Sequence, residues 1–368
     1  MRPALVTTTI YVPRLMEAYV DNAIEHGHGD VLFVVIGDRK TPSDAKRWCL
    51  ELAGRRGVDF EFLDVDDQAR YLTRYPELDA HLPYNSIQRR NIGILLAYER
   101  GCDPVITIDD DNFLLGGDFV GSHSLAGRRT TLEALTSDSG WYDVCGHLEE
   151  AHGVPFYHRG FPPGERWKPA QTASTEVEAR VIVNAGLWLG DPDVDALQRL
   201  VYPVDATAFR RDASLALGRG SWSPFNSQNT ALARDIVPAY FLSPRIGRYD
   251  DIWASYVIVA ISQHLGDLVA FGFPVVRQDR NPHDYWKDLD QERPAMRFTD
   301  RFCAALRQAE LTATDYGACF GEIQAALRRW LETDQGLDPE ARDLVGGFVE
   351  GASVWSATMR RGGWSPPV

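Results

Sequence analysis

Short runs of apolar, β-branched residues alternate with longer amphipathic stretches through the first third of the chain. Residues 4–10 (ALVTTTI), 31–36 (VLFVVI), 59–64 (DFEFLD) and 104–108 (PVITI) have the length and composition of buried strands. Residues 13–26, 43–56 and 86–100 have helical length and spacing. Strand and helix in this order predict right-handed crossovers, hence an α/β fold: a doubly wound, mostly parallel sheet with helices on both faces. Ligands of such sheets bind outside the carboxyl ends of the strands. That singles out Gly37-Asp38-Arg39-Lys40 and Asp109-Asp110-Asp111.

The pattern changes between about 115 and 245, where Gly, Pro and aromatic residues replace clean periods and predict long loops. A helix is expected again over 249–263 (YDDIWASYVIVAISQ) and a strand over 268–276. Beyond Thr299 the spacing predicts helices at 300–308 and 316–333, and a last one opened by Asp338-Pro339-Glu340. The expected organisation is a catalytic domain over 1–297 and a C-terminal helical extension over 298–368, packed on it or on another subunit of a homo- or hetero-oligomer.

Composition narrows the class. With 368 residues, 44% hydrophobic and 24% charged, the chain can bury a large core. Five scattered cysteines without a CxxC pair predict free thiols, not a disulfide framework or a structural zinc site. The start lacks the pattern of a secretion leader, and no apolar run reaches the roughly eighteen residues of a membrane span, so a cytoplasmic protein with no membrane partner is expected. A net charge of -14 argues against nucleic acid, whose backbone needs clustered Lys and Arg. An acidic protein that binds a diphosphate must supply local cations.

Three motifs carry candidate chemistry. In VITIDDDNF (105–113) three carboxylates follow an apolar strand, an arrangement that is costly unless a cation neutralises it. Strand alternation predicts Asp109 and Asp111 on one side and Asp110 on the other. A hard divalent ion, Mn or Mg, suits Asp109 and Asp111 and leaves coordination positions for a diphosphate; the alternative is a solvated strand-end loop. In RYDDIWA (248–254), Asp250 and Asp251 sit at a predicted helix start, as caps or with one as general base, and Arg248 pairs with a carboxylate or a phosphate. In HRGFP (158–162), Gly160 and Pro162 predict a rigid turn that aims Arg159, which is a surface charge, an ion-pair partner or a functional group.

Taken in order, VITIDDDNF, HRGFP, NAGLWLGDPDVDAL (184–197, with Trp188), SQNTALARD (with Asn229) and IGRYDDIWA resemble the reversibly glycosylated polypeptides, also known as UDP-arabinopyranose mutases. The resemblance implies a GT-A nucleotide-sugar fold, a UDP-sugar substrate, a divalent metal on the DDD motif, and interconversion of pyranose and furanose rings. It also implies that Arg159 matches the arginine that becomes reversibly glycosylated, that Asp38 contacts the nucleoside, and that Asp110, Trp188, Asn229 and Arg248 line the nucleotide-sugar site. Two segments depart from the family. VRQDRNP (276–282) lacks the family's histidine, leaving Gln278, Asp279 or His283 as the third metal ligand. NSIQRRNIGILLAYERG replaces the family's helix before the DDD, and its Arg89 and Arg90 either reach phosphate or face solvent. A glycosyltransferase that passes the sugar to a small-molecule or protein acceptor is the alternative activity, and a non-catalytic nucleotide-sugar-binding subunit is a third.

Overall fold

In the computed structural model, which describes residues 2–365, the first half follows the predicted alternation. Strands β1 (Ala4–Thr8), β2 (Leu32–Ile36) and β3 (Asp59–Leu63) are joined through helices α1 (Met16–Glu25) and α2 (Ala45–Arg56). After α3 (Val65–Leu72), α4 (Pro76–His81) and α5 (Arg90–Glu99) the chain returns as β4 (Val105–Ile108). All four strands are parallel, in the order β3-β2-β1-β4. Right-handed crossovers then put α1 and α2 on one face and α5 on the other. On that second face, a Cβ added to Gly93 of α5 would lie 2.6 Å from Val6 of β1 and 3.2 Å from Ile36 of β2, so the missing side chain lets helix and sheet approach closely. The order reverses beside β1, which makes the crevice between the ends of β1 and β4 the topological switch point.

The middle of the chain corrects the expectation of long loops. It holds β5 (Asn112–Leu114), the short α6 (Phe119–Ser122), β6 (Arg129–Ser137), β7 (Leu148–Glu150), the nineteen-residue β8 (Thr172–Gly190), α7 (Ala196–Val201), β9 (Ala206–Phe209), β10 (Leu215–Leu217) and β11 (Asn229–Leu232). β11 lies antiparallel between β4 and β8, and the sheet continues through β6 and β10. The strand signal was hidden because the first residues of β8 (TASTEVE) are polar and exposed, while its second half is buried on both faces and does not alternate. The Asn229↔Ile108 register brings the segment before β11 alongside the DDD turn.

α8 (Asp250–Leu265) is buried along almost its whole length, as its all-round apolar sequence requires. β12 (Leu268–Gln278) follows and pairs with β8, β10 and β5. α9 (Tyr285–Arg307), α10 (Tyr316–Thr333) and α11 (Pro339–Arg361) then pack on α8 and on one another. Trp253 of α8 stacks on Phe302 of α9 at 3.9 Å, with Phe348 of α11 edge-on. The N-terminal signal at Asp338 is realised: its side chain accepts from the Ala341 amide at 2.9 Å. α9 begins at Tyr285 rather than at Asp300, because Asp284 caps it and Pro294, which reads as a break, is accommodated inside it. The expected division between 297 and 298 therefore falls within one helix. All five cysteines are buried free thiols. Among the described residues no helix is long and apolar enough to cross a membrane.

Candidate active site

Two cavities open at the switch point and meet at Thr8, Ile87 and Asp110. The smaller, of about 180 Å³, lies at the ends of β1 and β2 and is bordered by Gly37, Asp38, Ser86 and Arg89. Asp38 is fixed there by accepting from the amides of Arg39 at 2.7 Å and Ser86 at 3.0 Å. Arg89 does not face solvent as one alternative had it. It is 1% exposed, donates to Gln68 at 2.6 Å and to the Leu82 carbonyl at 3.1 Å, and stacks over Tyr84 at 4.1 Å.

The second cavity, of about 200 Å³, is lined by the carboxylates of Asp109, Asp110, Asp111, Asp193, Asp250 and Asp251 and the guanidiniums of Arg90, Arg159, Arg248 and Arg280. β4 ends at Ile108, so the three aspartates lie on a turn and do not alternate as strand residues; all three border this cavity. Asp110 also accepts from Thr9 at 2.7 Å, which ties the DDD turn to the end of β1. Asp109 is paired with buried Arg90 at 2.5 Å, and Arg90 donates in addition to the Ser227 carbonyl and hydroxyl. Arg90 too is therefore buried and carboxylate-paired, not a solvated charge, and it stands on the cavity wall.

Asp111, like Asp110 and Asp250, has no ion-pair partner among the described residues. Its nearest donors are the Gln278 amide at 3.4 Å and the Asn281 backbone N–H at 3.5 Å. Burial, then the negative charge of Asp109, pushes its carboxyl up to about 6. A carboxylate so placed gains from an added cation. The oxygen donors of Asp109 and Asp111, with Gln278 and His283 on the same cavity wall, suit a hard divalent ion. Among the described residues no three His, Cys, Asp or Glu side chains form a ready-made cage, so such an ion would share protein and substrate oxygens. Asp279 turns outward to Arg277 at 3.2 Å, which leaves Gln278 and His283 as the additional candidates.

Asp250 and Asp251 do not cap α8, although they stand at its first turn. The N-cap is Tyr249, with no side-chain cap bond, and both carboxylates turn into the cavity. Asp250 accepts from Gln88 at 2.8 Å. Burial, then neighbouring Asp251, pushes its carboxyl up to about 7. Asp251 accepts from Arg159 and from the Ser227 amide at 3.1 Å. Arg159 is held on every side: two parallel bonds to Asp193 at 2.9 and 3.0 Å, two contacts with Asp251 at 3.1 and 3.2 Å, and a bond to the Arg248 carbonyl. Burial pulls its guanidinium down, but Asp193 and Asp251 outweigh this and hold it well above its ordinary range. The turn that aims it depends on Gly160, at φ 88°, where an added Cβ would meet Ile252 at 2.2 Å. The Arg248 side chain pairs with Glu292 of α9 at 3.0 Å, and with neither aspartate beside it.

Two residues named by the resemblance lie outside both cavities. Trp188 is 1% exposed and packs against the His158 ring at 5.4 Å. Asn229 is fully buried on β11 and donates to the Leu187 carbonyl at 3.0 Å. Conversely, Asp193, Ser227, Gln228 and Arg280 line the cleft without having been singled out. Asp193 and Ser227 stand in or beside quoted blocks, and Arg280 follows the end of β12; no local pattern marks any of them as cleft-facing.

The fold and the cleft define an α/β protein with an acidic, arginine-braced site at its switch point. The sequence profile of the reversibly glycosylated polypeptides matches residues 170–358, more than half of the chain, and the protein belongs to that family. It is 29% identical over 307 residues to a probable UDP-arabinopyranose mutase 1 of Pisum sativum, covering 81% of this chain and 78% of that one. It is 36% identical over 226 residues to a probable UDP-arabinopyranose mutase 1 of Zea mays, covering 60% and 57%. A mannosyltransferase from Pyrobaculum calidifontis, solved in complex with GDP-Man and Mn2+, superposes with a TM-score of 0.41 at 11% identity, over 98% of this chain and 84% of that one.

Proposed function

We propose that the protein is a UDP-sugar mutase that binds its substrate across the two cavities and interconverts pyranose and furanose rings at the anomeric carbon. UDP-arabinopyranose, the substrate in its relatives' names, is the first to try. The observation that carries this reading is Asp250, a cavity carboxyl pushed up to about 7 and so suited to both take and return a proton near neutral pH. In this reading Asp38, at the smaller cavity, would contact the nucleoside, and the DDD turn, at the larger, the diphosphate.

In the first step the Asp250 carboxylate takes the proton of the C4 hydroxyl as that oxygen bonds to C1. The bond from C1 to the diphosphate breaks, and its electron pair leaves with UDP. In the second step protonated Asp250 returns the proton to the ring oxygen as that oxygen leaves C1, and UDP bonds to C1 again. One carboxyl thus serves both directions. Arg159, fixed as a cation beside Asp251, orders the wall around the reacting carbon. A divalent ion, held by Asp111 with Asp109, would neutralise charge on the departing diphosphate.

Self-glycosylation of Arg159 is a second reading, favoured by the contact of its Nη2 with Asp251, the base that would take its proton. Against it, the guanidinium is held in its charged form, which has no free electron pair for C1. Incubation with UDP-sugars and Mn2+, followed by chromatography of the nucleotide sugars and peptide mass spectrometry of Arg159, tests both. Ring conversion with unmodified Arg159 supports the internal route. A sugar on Arg159 supports the second, and sugar transferred to an added acceptor supports a transferase.

A further inference from the structure

Three of the four cleft arginines already have hydrogen-bonded carboxylate partners. Arg90 donates to Asp109, Arg159 to Asp193 and Asp251, and Arg248 to Glu292. Arg280 differs. Its side chain is only 8% exposed and lines the cavity, no carboxylate accepts a hydrogen bond from it, and its Nε, like that of Arg90, is buried with no hydrogen-bond partner. The nearest carboxylate oxygens are 3.5 Å away on Asp191 and 4.0 Å away on Asp193, and its bond to Gln278 is long, at 3.4 Å.

A buried, charged donor without an acceptor opposes folding, and in a substrate cleft a ligand oxygen would supply the missing acceptor. The position of Arg280 indicates which ligand. The amides on either side of it, of Asp279 and Asn281, approach the Asp111 carbonyl at 3.3 Å and the Asp111 carboxylate at 3.5 Å, so its loop is tied to the DDD turn. A neutral sugar hydroxyl does not balance a buried guanidinium, whereas a phosphate presents paired oxygens that match its planar fork.

We propose that Arg280 binds the diphosphate of the nucleotide sugar, carrying part of the leaving-group charge. This rests on the nucleotide-sugar reading above. In that reading the other cleft arginines organise carboxylates, and Arg280 is the one held ready for substrate.

The test compares wild type, Arg280→Gln and Arg280→Lys by calorimetry with UDP, with and without Mn2+, by ligand-observed NMR with uridine, and by thermal melting without ligand. Arg280→Gln should weaken UDP binding by roughly ten- to a hundredfold, as for loss of a charge-assisted bond. Arg280→Lys should recover part of that loss, and uridine binding should not change. Arg280→Gln also takes a cation from Asp191 and Asp193, at 3.5 and 4.0 Å, so ligand-free melting serves to show that the variant is folded at the temperature of the binding assay. Equal UDP affinity in wild type and Arg280→Gln overturns the proposal alone. So does an equal loss for UDP and uridine, since that marks a structural role. Wild type that binds no UDP in either condition overturns the nucleotide-sugar reading, and this proposal with it.

Discussion

The Nη2 of Arg159 lies 3.1 and 3.2 Å from the two carboxylate oxygens of Asp251, while Asp193 grips the same guanidinium from β8's end of the cleft at 2.9 and 3.0 Å. One side chain thereby joins the HRGFP turn, the segment after β8 and the first turn of α8. The three come from distant parts of the sequence, and all border the same cavity.

Arg159→Lys keeps the charge but not the fork, so it cannot serve both carboxylates with two bonds each. It should lower stability toward the roughly 3–5 kcal/mol seen when a buried pair is broken, and ring interconversion should fall with it. Urea denaturation alongside a turnover assay checks this. Unchanged stability would mean that the carboxylates do not depend on Arg159.

Asp250→Asn removes the proton carrier without removing a helix cap, because Asp250 caps nothing. Turnover should fall by about 10²–10⁴-fold while UDP binding stays near wild type. In the wild-type enzyme the rate should rise with pH through about 7 as Asp250 ionises. The stability effect has the opposite sign. The folded carboxyl lies above its unfolded value, so the folded state binds more protons over the interval from about 4 to 7, and the contribution is lost as pH rises through it. Asn should flatten that part of the pH–stability curve, which melting temperatures across the range will show.

Asp111→Asn removes one of three mutually repelling carboxylates. Without metal the variant should melt at or above the wild-type temperature. With Mn2+ it should lose most of the metal-dependent gain in UDP affinity, read by calorimetry with and without EDTA. A wild type whose UDP affinity is the same in EDTA would remove the metal from the account.

What could be read from the sequence follows from how local each signal is. β1 to β4 are short buried runs between clear helices, so these four strands, their parallel sense and the strand ends where a ligand would bind were legible, and with them the interest of Asp38 and the DDD turn; the strand order was not. β8 was not, because the alternation of Val177, Ala179 and Val181 with Glu176, Glu178 and Arg180 is brief, between an exposed polar start and a second half buried on both faces. Motif positions brought Arg159, Asp250 and Asp251 into consideration, but not their partners. The Asp193 clamp arises only when β8 ends against the HRGFP turn, and Ser227 reaches Arg90 only through the pairing of β11 with β4. Trp188 and Asn229 show the converse: they stand in motif blocks yet are buried in the core.

The most direct test of the central claim is to follow UDP-arabinopyranose, with Mn2+ and purified protein, by chromatography and NMR of the nucleotide sugars. A second UDP-sugar of furanose ring form should grow in while total UDP-sugar stays constant, with the same final ratio when the reaction starts from the furanose. Accumulation of free UDP, with the sugar on water or on an added acceptor and no furanose product, would contradict it.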